Sequence, residues 1–167
     1  DGMYFYVDTP QEAERVFGNG AVEMLIVLAS DAKIQVTFNS EVVESFRLLG
    51  YENRKLKERD FRDNTIDAGE VGAGQTVTAL YEVSMRDNVR MSSRDELATV
   101  AIRYANIVTS ETDEYHKKVQ VRELNHNFEA ASPGFRFTAA VAEFAEILRK
   151  SDKAADVSMN EVLTVAQ

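Results

Sequence analysis

The spacing of apolar residues changes once along this chain, and that change limits the folds open to it. Between Ala32 and Tyr104 they recur at every second position in short runs, and between Phe137 and Leu148 they recur with a helical spacing. A period of two marks a strand with one buried face, and a period of about 3.6 marks an amphipathic helix. Strands followed by helices predict an α+β chain rather than an alternating parallel one.

Ala32, Ile34, Val36 and Phe38 alternate with Lys33, Gln35 and Thr37, which predicts a strand with those four residues inward. A second strand is expected over 42–51, where large apolar residues suggest a central position. Residues 53–74 are polar, and Gly69, Gly72 and Gly74 mark a corner into a third strand over 75–84. That strand would turn Val77, Ala79, Tyr81 and Val83 to one face. After a connection over 86–95, a fourth strand over 97–104 would bury Ala98, Val100, Ile102 and Tyr104. A weaker fifth strand over 117–124 is anchored by Val119 and Val121. The expected product is a mostly antiparallel β-sandwich, immunoglobulin-like or related, with C-terminal helices packed on it.

Both ends read differently. Met3 to Val7 is β-prone; Asp8 or Thr9 can cap a helix that holds Pro10 in its first turn and stops at Gly18-Asn19-Gly20. Residues 21–29 fit a helix face or a buried strand equally. Over 135–150, Phe137, Ala140, Val141, Phe144, Ile147 and Leu148 form an apolar stripe, with Glu143, Glu146 and Arg149 opposite. Burying Phe137, Val141, Phe144 and Leu148 would contribute roughly 1.5–3 kcal/mol each. The face is expected on the strands, against Val77, Tyr81, Val100 and Ile102. Ser158 and Glu161 form a capping box for a last helix that would bury Val162, Leu163 and Val165.

Composition removes several functions. The net charge of −9 repels phosphate backbones, and the densest cationic run, 54–59, lies beside Asp60 and Asp63, so no nucleic-acid partner is expected. The absence of cysteine excludes thiol catalysis and thiolate metal sites. The longest apolar stretch, Met24 to Ala29, falls far short of the roughly 18 residues a membrane span needs.

The candidate sites are few. Asp60, Asp63, Asn64, Asp67 and Glu70 offer oxygen ligands in one loop and form a weak candidate cation site. The sharp-turn glycine of an EF-hand is missing, and a solvated loop with Asn and Asp as turn formers is the plainer reading. Asp67 and Glu70 could also serve a carboxylate-dependent hydrolase, although nothing in the sequence places either in an apolar pocket. The glycines between 69 and 74 precede a strand rather than open a helix, so they do not read as a phosphate loop. His116 and His126 lack companion donors and read as surface residues. Tyr4, Phe5, Tyr6, Phe38, Phe46, Tyr51, Tyr81 and Tyr104 could build a glycan platform, but core packing is the default. No catalytic residue, cofactor or resident metal is expected.

Four segments, "KIQVTFN", "FRLLGYENR", "DAGEVGAGQTVTALYE" and "FRFTAAVAEFAEILRKS", occur in order from Lys33 to Ser151. Together they resemble the C-terminal domain of bacterial von Willebrand factor type A (vWA) proteins of the calcium-activated chloride channel homologue type. The opening "GMYFYVDTPQEAERVF" resembles the last strand and helix of a vWA domain. The resemblance implies two parts, a vWA remnant with connector over 1–30 and a β-rich C-terminal domain over 31–167. It implies a non-catalytic interaction or scaffolding role, a protein partner, and an extracytoplasmic or membrane-anchored setting. The metal motif of vWA domains, Asp-x-Ser-x-Ser, does not occur here, so no metal is carried over. Strand 3–7 would be an unprotected edge, which predicts a dimer through it.

Overall fold

The computed structural model describes residues 7–18, 26–50, 57–87, 89–125, 127–154 and 157–166. Six strands and three α-helices lie among them: α1 (Pro10–Phe17), β1 (Val27–Phe38), β2 (Val43–Leu49), β3 (Gly69–Gly72), β4 (Leu80–Met85), β5 (Glu96–Asn106), β6 (Thr112–Gln120), α2 (Pro133–Leu148) and α3 (Met159–Ala166). The fold is α+β, with a four-stranded sheet in the order β3-β1-β5-β6, a two-stranded β2-β4 sheet, and helices at the C-terminal end. The chain divides into two compact units. Residues 3–6 of the expected edge strand over 3–7, and with them the dimer assigned to it, lie outside the described residues, and Val7 is not in a strand.

The first unit comprises residues 1–37, 56–78 and 99–117. Its helix α1 forms as expected: Pro10 starts it, and the Thr9 hydroxyl accepts from the Glu12 N–H at 3.2 Å. Gly18 ends it, because a Cβ there would collide with the Glu14 carbonyl. Strand β1 begins at Val27, earlier than the alternation indicated, and continues through Asp31. Asp31 sits at φ 52°, and the antiparallel pairing with β3 is irregular between Ala29 and Ala32. An extra residue of this kind bends a strand and disturbs its alternation. The expected faces are accordingly reversed at their centre: Lys33 is 3% exposed and Ile34 51% exposed.

The glycine-rich corner also differs from expectation. Gly69 to Gly72 form the short edge strand β3, and Gly74 turns the chain at φ 72°. Residues 75–79 are not in a strand, and Val77 is exposed. At the far side, β5 and β6 form a hairpin around 107–111, in which the Asn106 N–H donates to the Glu111 carbonyl at 2.8 Å. Strand β6 starts at Thr112, five residues before the predicted fifth strand. Its polar start carried no apolar signal because backbone pairing at an edge needs no buried side chain.

The second unit comprises residues 38–55, 79–98 and 118–167. Strands β2 and β4 pair antiparallel, with Phe46 opposite Val83, Arg47 opposite Glu82 and Leu48 opposite Tyr81. Strand β2 is therefore one half of a two-stranded ribbon, not the central strand its apolar content suggested. The core gathers Val42, Val43 and Leu97, with Phe38, Val83, Met85, Val119 and Val121 packed against them. Val119 at the end of β6 and Val121 just beyond it are thus core anchors, but residues 121–123 form a 3-10 turn rather than the end of the expected strand. Asn39 makes the corner: its backbone N–H donates to the Leu97 carbonyl at 2.9 Å, and its side-chain amide donates to the Glu96 carbonyl at 2.8 Å. Phe38 meets Phe46 at 4.5 Å and Tyr81 at 5.4 Å between ring centroids. Phe46 is nevertheless 56% exposed, so it is not the core residue it was expected to be. Tyr4, Phe5, Tyr6 and Tyr51 lie outside the described residues.

Both C-terminal helices form where the period predicted them. The Ser132 hydroxyl accepts from the Phe135 N–H at 3.2 Å, and Pro133 opens α2. The capping box before α3 closes both ways: Ser158 N–H donates to Glu161 Oε2 at 2.7 Å, and Glu161 N–H donates to Ser158 Oγ at 3.3 Å. Val162 is buried and Leu163 is exposed.

Candidate functional site: a clamped loop and an outward apolar helix face

The acidic loop of the first unit holds a cation, and that cation is the chain's own. Lys33 projects from β1, and its ammonium donates to the backbone carbonyls of Asp63 at 2.5 Å and Asp60 at 3.5 Å. A buried ammonium without acceptors would be strongly unfavourable; two carbonyl oxygens provide them. Three further contacts fasten the same segment. Asp31 Oδ1 accepts from the Ala68 N–H at 3.2 Å, Arg103 donates to Asn64 Oδ1 at 2.9 Å, and Arg62 donates to Glu114 Oε1 at 2.8 Å. Glu114 collects Arg103 at 3.1 Å and His116 at 3.0 Å as well. Residues 60–68 are thus pinned by β1, β5 and β6.

The candidate cation ligands take separate tasks. Asp60 has a carboxylate oxygen 3.5 Å from the Arg59 guanidinium. The Asp63 carboxylate accepts from the Thr65 hydroxyl at 2.7 Å and the Thr65 N–H at 2.9 Å. Asp67 and Glu70 are exposed, Glu70 on β3. Among the described residues no three His, Asp or Glu converge as metal ligands. A small recess in this unit is lined by Asp31, Lys33, Asn64, Arg103, Tyr104 and Thr112, with Ala105, and neither Asp67 nor Glu70 reaches it. His116 is half exposed, as expected, and His126 lies outside the described residues. The sequence hid this clamp because Lys33 occupies a position whose alternation pointed outward.

In the second unit the large residues of the predicted α2 stripe are exposed, apart from the half-buried Ile147, while Ala140 of that stripe is buried as expected. Phe137, Val141, Phe144 and Leu148 are 56%, 51%, 42% and 62% exposed, whereas Ala140 and Glu146 are buried. These four side chains therefore do not supply the burial expected of them. A charged bridge sets the orientation instead. Arg47 Nη1 donates to Glu146 Oε2 at 2.7 Å while its Nε and Nη2 hold Glu82 Oε2 at 2.9 and 2.6 Å. A guanidinium fork suits such double engagement. Arg149 lies 3.3 Å from Glu146 Oε1. The inner side of α2 is small and polar, and its large apolar side chains face out. Helix α3 packs against α2 and exposes Met159 and Leu163. Large apolar residues are exposed on other elements too, Ile34, Phe46 and Val77 among them, but α2 carries five, Phe135, Phe137, Val141, Phe144 and Leu148. A contiguous apolar patch marks an interaction site.

Four carboxylates are held below their ordinary range. For Glu146 the main cause is the hydrogen bond from Arg47, followed by those from Ser151 and the charge of Arg149. For Glu114 it is the hydrogen bond from Arg62, for Asp63 that from the Thr65 hydroxyl, and for Glu161 the backbone N–H of Ser158. A carboxylate with a lowered folded pKa adds stability above its unfolded value and loses it as pH falls through the folded value. Stability is therefore expected to fall progressively once pH drops below the ordinary Glu value of 4.5. Chemical denaturation from pH 7 to 3 checks this. A flat profile through pH 3 would show that these bonds are absent in solution.

Residues 23–167 match the family described as "Uncharacterized protein YfbK, C-terminal". The chain is also 31% identical, over 177 aligned residues, to the protein of Escherichia coli named "Uncharacterized protein YfbK". That alignment covers 100% of this chain and 31% of the relative, so the chain spans about a third of its length. No solved structure matches. A match across all six described strands and both C-terminal helices places this chain in the YfbK C-terminal family.

Proposed function

We propose that this chain is a non-catalytic protein-interaction module, the C-terminal domain of a vWA-type protein of the calcium-activated chloride channel homologue kind. The observation that carries the reading is the outward apolar face of α2. A large apolar residue that points outward from a helix held by an ion pair is retained at a cost in solubility, and docking accounts for it. The four quoted segments support the vWA connection, and the cell envelope is the setting that connection implies. The clamped loop fits a supporting role, since Lys33 occupies the carbonyls that a bound cation would use. No helix among the described residues is long and apolar enough to cross a membrane.

The reading predicts that Phe144→Asp leaves the dilute protein intact. Surface changes stay within about 0.5 kcal/mol, or a melting shift of about 1–2 °C for a chain this size. Binding of an apolar fluorescent dye should fall clearly, and millimolar calcium should leave the melting temperature of either protein unchanged. If Phe144→Asp melts about 10 °C lower at submicromolar concentration, the face is internal and the reading is wrong.

A further inference from the structure

The outward residues of α2 are spaced for a particular occupant. Phe137, Val141, Phe144 and Leu148 follow one another in steps of four, three and four residues. That is the seam along which one helix meets another, with knobs at alternating three- and four-residue intervals. The opposite side of α2 is engaged with Arg47 through Glu146, so this seam is unoccupied by any described element of the second unit.

The flanks of the seam narrow the choice of helix. Thr138, Ala145 and Ile147 border it, none of them charged, and the fourth flanking position, Ala140, is buried. Charged flanks select an unlike partner and repel a like one; uncharged flanks leave self-pairing unopposed. Small flanking residues also let two helix backbones approach closely. The chain carries −9 overall, and an uncharged strip is the kind of surface along which two such copies can meet.

We infer that two copies of this chain pair through α2, antiparallel about a two-fold axis between Val141 and Phe144. Each Val141 then faces Phe144 of the other copy, and each Phe137 faces Leu148. Roughly half of four large side chains, together with Met159 and Leu163 on α3, gives an apolar area of order 600 Å² per copy. The pair withdraws about 1,200 Å², the lower end for a specific interface. This inference rests on the docking role of the α2 face and names its occupant.

Sedimentation equilibrium on the whole chain tests it. At about 100 µM the mass should be twice the 18.7 kDa of one chain, and Phe144→Asp should weaken association by about 30-fold or more. The chain has no cysteine, so an added pair reports geometry directly. A mixture of Val141→Cys and Phe144→Cys chains should oxidise to the mixed disulfide faster than either forms its own. Preferred Val141→Cys self-linking would overturn the antiparallel pairing. A monomer at about 100 µM, or a dimer indifferent to Phe144→Asp, would overturn the inference. In the monomer case, dye binding that Phe144→Asp abolishes would leave the docking reading standing with another occupant. A low-melting Phe144→Asp monomer would remove both.

Discussion

Arg47→Ala is expected to destabilise the chain by about 2–3 kcal/mol, a fall of about 5–10 °C in melting temperature. Arg47 is the only described residue that bridges the β2–β4 ribbon to α2 through side-chain ion pairs on both. Its removal leaves Glu146, whose side chain is 9% exposed, with the half-exposed Arg149 and the hydrogen bond from Ser151. Breaking a buried pair costs about 3–5 kcal/mol, and the 36% exposure of the Arg47 side chain reduces that. The cost comes from the carboxylate left behind, so the double variant Arg47→Ala/Glu146→Ala should recover part of the loss. Urea denaturation of the single and double variants measures the coupling. Additive effects would show that the bridge does not hold α2. Loss of Arg47 should also raise the Glu146 pKa, because the largest cause of its lowering is then gone.

Lys33→Ala is expected to cost about 2–3 kcal/mol and to loosen residues 57–68 selectively. The Asp60 and Asp63 carbonyls lose their shared donor, and the aliphatic stem of a side chain 3% exposed leaves a void. Lys33→Met keeps the stem and removes only the ammonium, so its cost should be about half. Limited proteolysis should cut Lys33→Ala first between Lys57 and Ala68, where Asp31, Arg103 and Arg62 remain as fasteners. Unchanged melting and cleavage in Lys33→Ala would mean that the loop is held without the lysine.

Local signals placed the helices well. Thr9 with Pro10 and Ser158 with Glu161 put caps beside helical spacing, and α1 and α3 start at or next to those residues; α2 starts at Pro133, two residues before the expected 135, where Ser132 caps it. A cap is made by neighbours in sequence, so sequence specifies it. Strand positions were legible where alternation was strong, as at 33–38 and 97–104, and shifted where pairing supplied the order. Strand β3 and the polar first half of β6 were hidden because an edge strand can be polar or glycine-rich and still bond its backbone. The candidate loop was visible as a cluster of acids, but its cation was invisible because Lys33 lies about thirty residues away.

What the sequence determined by itself was therefore the set of elements near their caps, the α+β class, the acidity and the absence of thiol chemistry. Tertiary structure alone decided which face of each element points inward. The Asp31 irregularity turned Lys33 in and Ile34 out, and Arg47 drew Glu146 under α2 at the expense of four large apolar residues. An apolar stripe records that a helix wants cover but not which body supplies it. A single well-placed guanidinium, fixed by the register that sets Arg47 opposite Glu82, was enough to choose.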